Sequence, residues 1–208
     1  MRASDTNEVA HRDRAELALD AVLGVSVWIW AAGLFLHEDG PPLVVRASVA
    51  LLNGGVGALF LWRGPARTHG ATGALLSAVP SIALGGIALR VAPSEWPVAS
   101  IVLFVASTLG ALASLLTLGR SFSILPARRE VVGRGPYRVV RHPAYACELV
   151  MVIAAGASRA WWIGLGLGVL VLLTLVPRIR AEEALLAHDE AWSAYAARTR
   201  HRLVPGVW

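Results

Sequence analysis

Two short polar stretches hold most of the side chains in this sequence that could do chemistry. In GRGPYRVVRHPAY, Tyr137, Arg138, Arg141, His142 and Tyr145 crowd together, and in PRIRAEEALL the carboxylates Glu182 and Glu183 follow Arg178 and Arg180. Arginine presents a planar fork of donors that can grip a carboxylate or phosphate, while His and Glu can hold or move a proton. Pro143 suits the first turn of a helix, because its missing N–H would be unpaired there anyway, and His142 before it is pushed out of helical geometry towards the cap. That helix start would aim a positive dipole end and free N–H groups at an anion, beside Arg138 and Arg141. The same residues would also serve a plainer purpose as an arginine cluster on lipid phosphates, with Tyr137 and Tyr145 in an interfacial aromatic belt. By composition alone the two purposes weigh equally.

Around the second stretch, Arg178 and Glu182 stand four apart and are expected to pair on a solvated helix face. Glu183 points about 100° away, towards Ile179 and Leu186, where a carboxylate needs an arginine partner or a function. Trp192 and Tyr195 further on suit either packing or a lid. His142, His188 and His201 lack metal-ligand spacing, so no metal site is expected. Cys147, the single cysteine, is expected as inert packing in an apolar helix.

These groups must be positioned by a chain that is 56% hydrophobic and 16% charged, with a mean hydropathy of +0.59. That composition excludes disorder and points to a membrane protein. A helix needs about 20 apolar residues to cross the hydrocarbon core. Four stretches meet or approach that length, near Leu17 to Leu36, Leu43 to Trp62, Ala74 to Ala92 and Val98 to Leu118, separated by HEDGPP, RGPARTHG and PSEWP. A further apolar region from Ala144 to Val176 is divided at Ser158 and Arg159 and is expected to form a hairpin with its second arm from Trp161 to Val176. A separate polar helix is expected after Pro177. The chain is thus expected to be an all-α integral membrane protein in one folded unit, with N-terminal membrane spans over 1–118 and a cofactor-binding and catalytic region over 119–208.

All 19 basic residues are arginine. Placing the N-terminus inside puts all of them on the cytoplasmic side except Arg46, Arg90 and Arg159, so both termini and the polar site are expected there. Positive-inside bias therefore accounts for the net charge of +5 without nucleic acid. Inside the spans, Asn53 is expected to bond between helices, and the Gly164–Gly168 and Gly54–Ala58 pairs to form packing faces. The absence of ionisable groups from the middle of the spans argues against a transporter.

From Gly119 onward the sequence resembles the isoprenylcysteine carboxyl methyltransferase and phospholipid methyltransferase superfamily. The resemblance rests on LGRSFSILP, GPYRVVRHPAY, RIRAEEALL, the Trp192 and Tyr195 pair and the RLVPGVW ending, in that order, with an apolar hairpin between. It implies a membrane enzyme that uses S-adenosylmethionine in a pocket between the loop before the hairpin and the polar helix after it. The acceptor would be lipophilic and enter from the bilayer, and the oligomeric state is left open. By this resemblance Tyr137, His142, Tyr145 and Glu183 would hold the cofactor, and Arg141 and Glu183 would orient the acceptor. Cys147 and His188–Asp189 depart from the family pattern. Methyl transfer needs positioning and water exclusion more than a strong base when the acceptor is already a carboxylate. A lipid-like carboxylate is therefore the favoured acceptor, and a phospholipid amine the second. A nicotinamide-dependent membrane reductase and a non-catalytic membrane scaffold are the competing classes.

Overall fold

A computed structural model describes residues 14–36, 40–62, 68–69, 73–122, 127–128 and 131–208. Among these residues, seven α-helices run α1 (Arg14–Gly33), α2 (Leu43–Trp62), α3 (Gly73–Arg90), α4 (Val98–Leu118), α5 (Pro143–Ala157), α6 (Trp161–Leu186) and α7 (Glu190–Arg198). Among the described residues, β pairing is confined to a two-residue antiparallel ladder that matches Thr68 with Arg128 and His69 with Ala127. The Pro- and Gly-bearing breaks expected from sequence fall between helices. α2 and α4 have the bounds expected, and α1 starts and ends three residues early.

Among the described residues, three helical segments are long and apolar enough to cross a membrane: Leu43–Trp62, Val98–Ser121 and Trp161–Leu186. The apolar part of α1 and the whole of α5 are shorter. Large apolar side chains such as Ile29, Val102, Val169 and Leu173 face outward, as a lipid-facing surface requires. The stretch N-terminal to α1, with Arg2 and Arg12, and the loop arginines Arg63, Arg67 and Arg129 lie outside the described residues.

The centre of the bundle is built from α2, α4, α5 and α6. Val45, Phe104, Val152, Val171, Leu175 and Ile179 form one buried cluster, held by van der Waals packing. Without a hydrophobic driving force in lipid, close backbone approach takes over between α5 and α6. A Cβ on Gly164 would lie 2.5 Å from the Ile153 carbonyl oxygen, and one on Gly168 would lie 2.7 Å from Ile153 Cγ1. The Gly164–Gly168 pair is therefore the packing face expected. Gly54 is not: nothing lies within 4 Å of a Cβ there, and it is Gly57 that meets the Trp28 indole. Asn53 also departs from expectation, because its amide donates to the Val49 carbonyl of its own helix at 2.9 Å and its side chain lines a cleft.

The largest difference lies in α6. The helix does not stop before Pro177 but continues through it to Leu186, so Glu182 and Glu183 stand on the hairpin's own second arm and not on a separate polar helix. Pro177 removes one ladder bond, but Leu175 and Ile179 on either side are both fully buried, and their packing outweighs that loss. The separate polar helix is α7, capped by Asp189, whose carboxylate accepts from the Ala191 N–H at 2.9 Å.

Candidate active site

The start of α5 forms as its sequence dictates. Gly135, at φ +57°, allows the turn into GPYR, and His142 caps α5 with Pro143 in its first turn. The C-terminal segment then lies alongside: Arg141 N–H donates to the His201 carbonyl and His142 N–H to the Arg202 carbonyl, both at 2.9 Å. Those two bonds bring Arg202 to the end of α6.

Glu183 sits at the meeting point, with only 11% of its side chain exposed. Its Oε1 receives Arg141 Nη1 at 3.0 Å and lies 3.1 Å from His142 Nε2. Its Oε2 receives Arg202 Nε at 2.9 Å and Nη2 at 2.8 Å. A carboxylate offers about four lone-pair positions, so all of them are taken, and the desolvated charge is matched by the cations it gathers. The arginine partner that the phase of Glu183 demanded is thus present twice over.

Arg141 is held on both terminal nitrogens. Nη1 is given to Glu183, and Nη2 donates to the Arg200 carbonyl at 3.2 Å. Its Nε is buried with no hydrogen-bond partner. The side-on edge of the guanidinium, Nε with Nη2, is therefore weakly used.

Tyr145 links this cluster to the interior. Its hydroxyl donates to Glu182 Oε2 at 2.9 Å. Its ring stacks on His142 with centroids 5.5 Å apart and planes 6° apart. The Arg178 guanidinium carbon lies 4.6 Å from the centre of the same ring. The solvated Arg178 expected from sequence is not found: the residue is 3% exposed, between the buried side chains of Leu175 and Ile179.

Tyr137 belongs to a neighbouring aromatic cluster with Trp192 and Tyr195. Its carbonyl accepts from Tyr195 Oη at 2.8 Å and Thr199 Oγ1 at 3.4 Å. Burial pushes the Tyr137 hydroxyl far above the usual phenol range, with the Glu182 charge adding to it. Burial likewise raises Tyr195 from 10.0 to about 12, against the opposing pull of the Arg141 charge. Trp192 and Tyr195 are both buried, so they pack. Cys147 packs towards α4, where a Cβ on Gly110 would lie 3.0 Å from its Sγ.

Of the residues expected at the site, the structure brings Arg141, His142, Tyr145 and Glu183 together and sets Tyr137 in the adjoining cluster. It adds Arg202, which sequence reasoning did not single out although the RLVPGVW ending had been noted. It also adds Arg178, whose spacing to Glu182 is that of an ordinary exposed pair.

Below Tyr145 on α5, Glu148 borders a cleft of about 170 Å³ that is also lined by Trp30, Val49, Asn53, Gly86 and Phe104. Its walls are almost wholly apolar.

Among the described residues, helices of membrane length support an integral membrane protein, with an apolar cleft and a buried ionic cluster at one end of the hairpin. Residues 100–188, less than half of the chain, match the isoprenylcysteine carboxyl methyltransferase (ICMT) family. The match takes in α4, α5, α6 and both polar stretches, and ends before α7 and Arg202. No curated protein matches the chain.

Proposed function

We propose that the chain is an S-adenosylmethionine-dependent methyltransferase that acts on a lipophilic acceptor, with a lipid-borne carboxylate favoured. The observation that carries this reading is the buried Glu183 with Arg141 and His142, all within the stretch that matches the family, and with Arg202 from beyond it.

The residues present suit the cofactor. Glu182 is partly exposed and uses Oε2 for Tyr145, so its other oxygen is a suitable acceptor for an ammonium or a ribose hydroxyl. The orphaned Arg141 Nε is left as a donor for the acceptor. Tyr137, His142, Tyr145 and Glu183 would line that pocket. When bound, S-adenosylmethionine supplies a methyl group on a sulfonium sulfur, which passes in line to an acceptor lone pair as the sulfur–methyl bond breaks.

The chain's own part is positioning. Glu183, with its lone pairs taken, holds Arg141, His142 and Arg202 in place, which limits it as a base. Arg141 would grip the acceptor carboxylate side-on through Nε and Nη2, giving up its 3.2 Å bond to the Arg200 carbonyl. The cleft below Tyr145 would take part of the acceptor's apolar body, and its walls exclude water from the reaction. A phospholipid amine is the second acceptor class, favoured by the Glu148 carboxylate on the cleft wall.

In the topology that goes with this reading, four N-terminal helices and the α5–α6 hairpin lie in the membrane. Both termini and the ionic cluster face the cytoplasm, with 1–118 and 119–208 forming one unit. The acceptor assignment is tested with Arg141→Lys, which keeps the charge and loses the fork. Turnover on a prenylcysteine carboxylate should fall at least about tenfold, one decade of rate being about 1.4 kcal/mol. Unchanged turnover, or methylation confined to amines, would rule out the carboxylate grip.

A further inference from the structure

Arg178 stands outside the ring of groups around Glu183, and the proposed chemistry gives it no role, yet it is a buried cation placed with care. It follows Pro177, where α6 lacks a ladder bond, so the helix end that bears Glu182 and Glu183 is joined to the rest of α6 less firmly than an unbroken helix would be. Two residues of that end, one turn apart, hold the same ring on α5. Arg178 lies over the face of Tyr145 at 4.6 Å, and Glu182 accepts its hydroxyl at 2.9 Å. A guanidinium over an aromatic face is attractive, more so when desolvated. The ring so held stacks in parallel on His142, which meets Glu183 at 3.1 Å.

Face, edge and stack thus form one chain of contacts from Arg178 through Tyr145 to His142 and back to the α6 carboxylates. We infer that Arg178 is a positioning residue: with Glu182 it fastens the end of α6 to Tyr145 across the proline break, and so sets where His142, Glu182 and Glu183 stand for the cofactor. This inference rests on the methyltransferase reading for its ligand but not for its geometry.

The test is a double-mutant cycle on purified full-length protein, with S-adenosylhomocysteine affinity, methyl-transfer kinetics and thermal unfolding as readouts. Arg178→Met should weaken S-adenosylhomocysteine binding about tenfold and raise KM for S-adenosylmethionine by a similar factor, with kcat changed less than about threefold. Arg178→Lys keeps a cation for the ring and should restore most of the affinity. In a Tyr145→Leu background, Arg178→Met should cost nothing further in affinity, because the ring through which it acts is gone. A folded Arg178→Met protein with wild-type affinity would overturn the inference, as would losses that simply add, or a kcat loss with KM unchanged.

If Arg178→Met does not fold, Arg178→Lys and Tyr145→Leu decide. The first changes the cation over the ring and the second removes the ring, so coupled effects on unfolding temperature support the inference, and independent ones overturn it. If the wild-type protein binds no S-adenosylhomocysteine, the methyltransferase reading fails by itself, and the same unfolding cycle still judges whether Arg178 and Tyr145 act as a unit.

Discussion

Glu183→Gln is the most informative single substitution, because it keeps the shape of the side chain and removes the charge to which four donor atoms point. Arg141 and His142 have 10% and 5% of their side chains exposed, whereas Arg202 has 31%. Arg141 would lose its counter-charge and His142 its carboxylate partner in a nearly dry environment, and Arg202 would be partly rehydrated. Removing one partner of a buried pair costs about 3–5 kcal/mol. The glutamine carbonyl still accepts one hydrogen bond, and a charged bond exceeds a neutral one by about 1 kcal/mol. A net loss of about 2–4 kcal/mol follows, which for a chain of this size lowers Tm by about 5–15 °C. Arg202→Gln, which removes the more exposed partner and leaves Glu183 with two, should cost less than half as much. Thermal unfolding of the detergent-purified protein, followed by tryptophan fluorescence, measures both. A Glu183→Gln protein melting within about 1 °C of wild type, or below it by less than the Arg202→Gln protein, would refute the claim that Glu183 holds the cluster together.

Two further outcomes follow from the packing. Tyr195→Phe should cost about 1 kcal/mol by removing the bond to the Tyr137 carbonyl, and should abolish a phenolate absorbance step near pH 12. Because the folded value lies above the unfolded 10, the Tyr195 contribution is fully present below pH 10 and is lost as pH rises towards 12. A Tyr195→Phe protein that keeps the step shows that it belongs to another tyrosine. Gly164→Val would force a side chain against the Ile153 carbonyl and the Ala157 amide, so cooperative unfolding in detergent should be lost or Tm should fall by more than about 5 °C, as overpacking of a tight interface costs about 1–3 kcal/mol or more. Gly166→Ala on the same helix, with open space at its Cβ, should leave Tm unchanged. Equal effects at the two glycines would refute the proposed α5–α6 contact.

Most of the helical plan was legible because its signals are local. Apolar runs of membrane length ended at Pro, Gly and charge, and α2 and α4 fall where those marks lie. The start of α5 was legible for the same reason, from the His142–Pro143 pair. Glu183 was legible through helix phase: a carboxylate turned towards Ile179 must find a cation. What sequence could not show depends on which face meets which neighbour. Arg178 and Glu182 have the spacing of a solvated pair, and only the approach of Tyr145 from α5 makes Arg178 interior. The path of α6 through Pro177 was hidden because the lost ladder bond is local, whereas the packing of Leu175 and Ile179 that offsets it is not. Arg202 was hidden because it lies in irregular chain, with no periodicity to give it a direction, and reaches Glu183 through backbone bonds to Arg141 and His142. Asn53 kept its bond within α2 because a nearby carbonyl of its own helix was within reach.

The central claim is that the ionic cluster at the end of the α5–α6 hairpin binds the methyl-donor cofactor. Calorimetric titration of the purified protein with S-adenosylhomocysteine, beside a parallel titration with nicotinamide nucleotides, tests it most directly. The account predicts saturable, one-site binding of S-adenosylhomocysteine that weakens at least about tenfold in Glu183→Gln, about 1.4 kcal/mol of binding free energy, with no binding of the nicotinamide nucleotides. Binding of a nicotinamide nucleotide alone would make the site that of a reductase, and binding of neither would leave a membrane scaffold, so either result would contradict it.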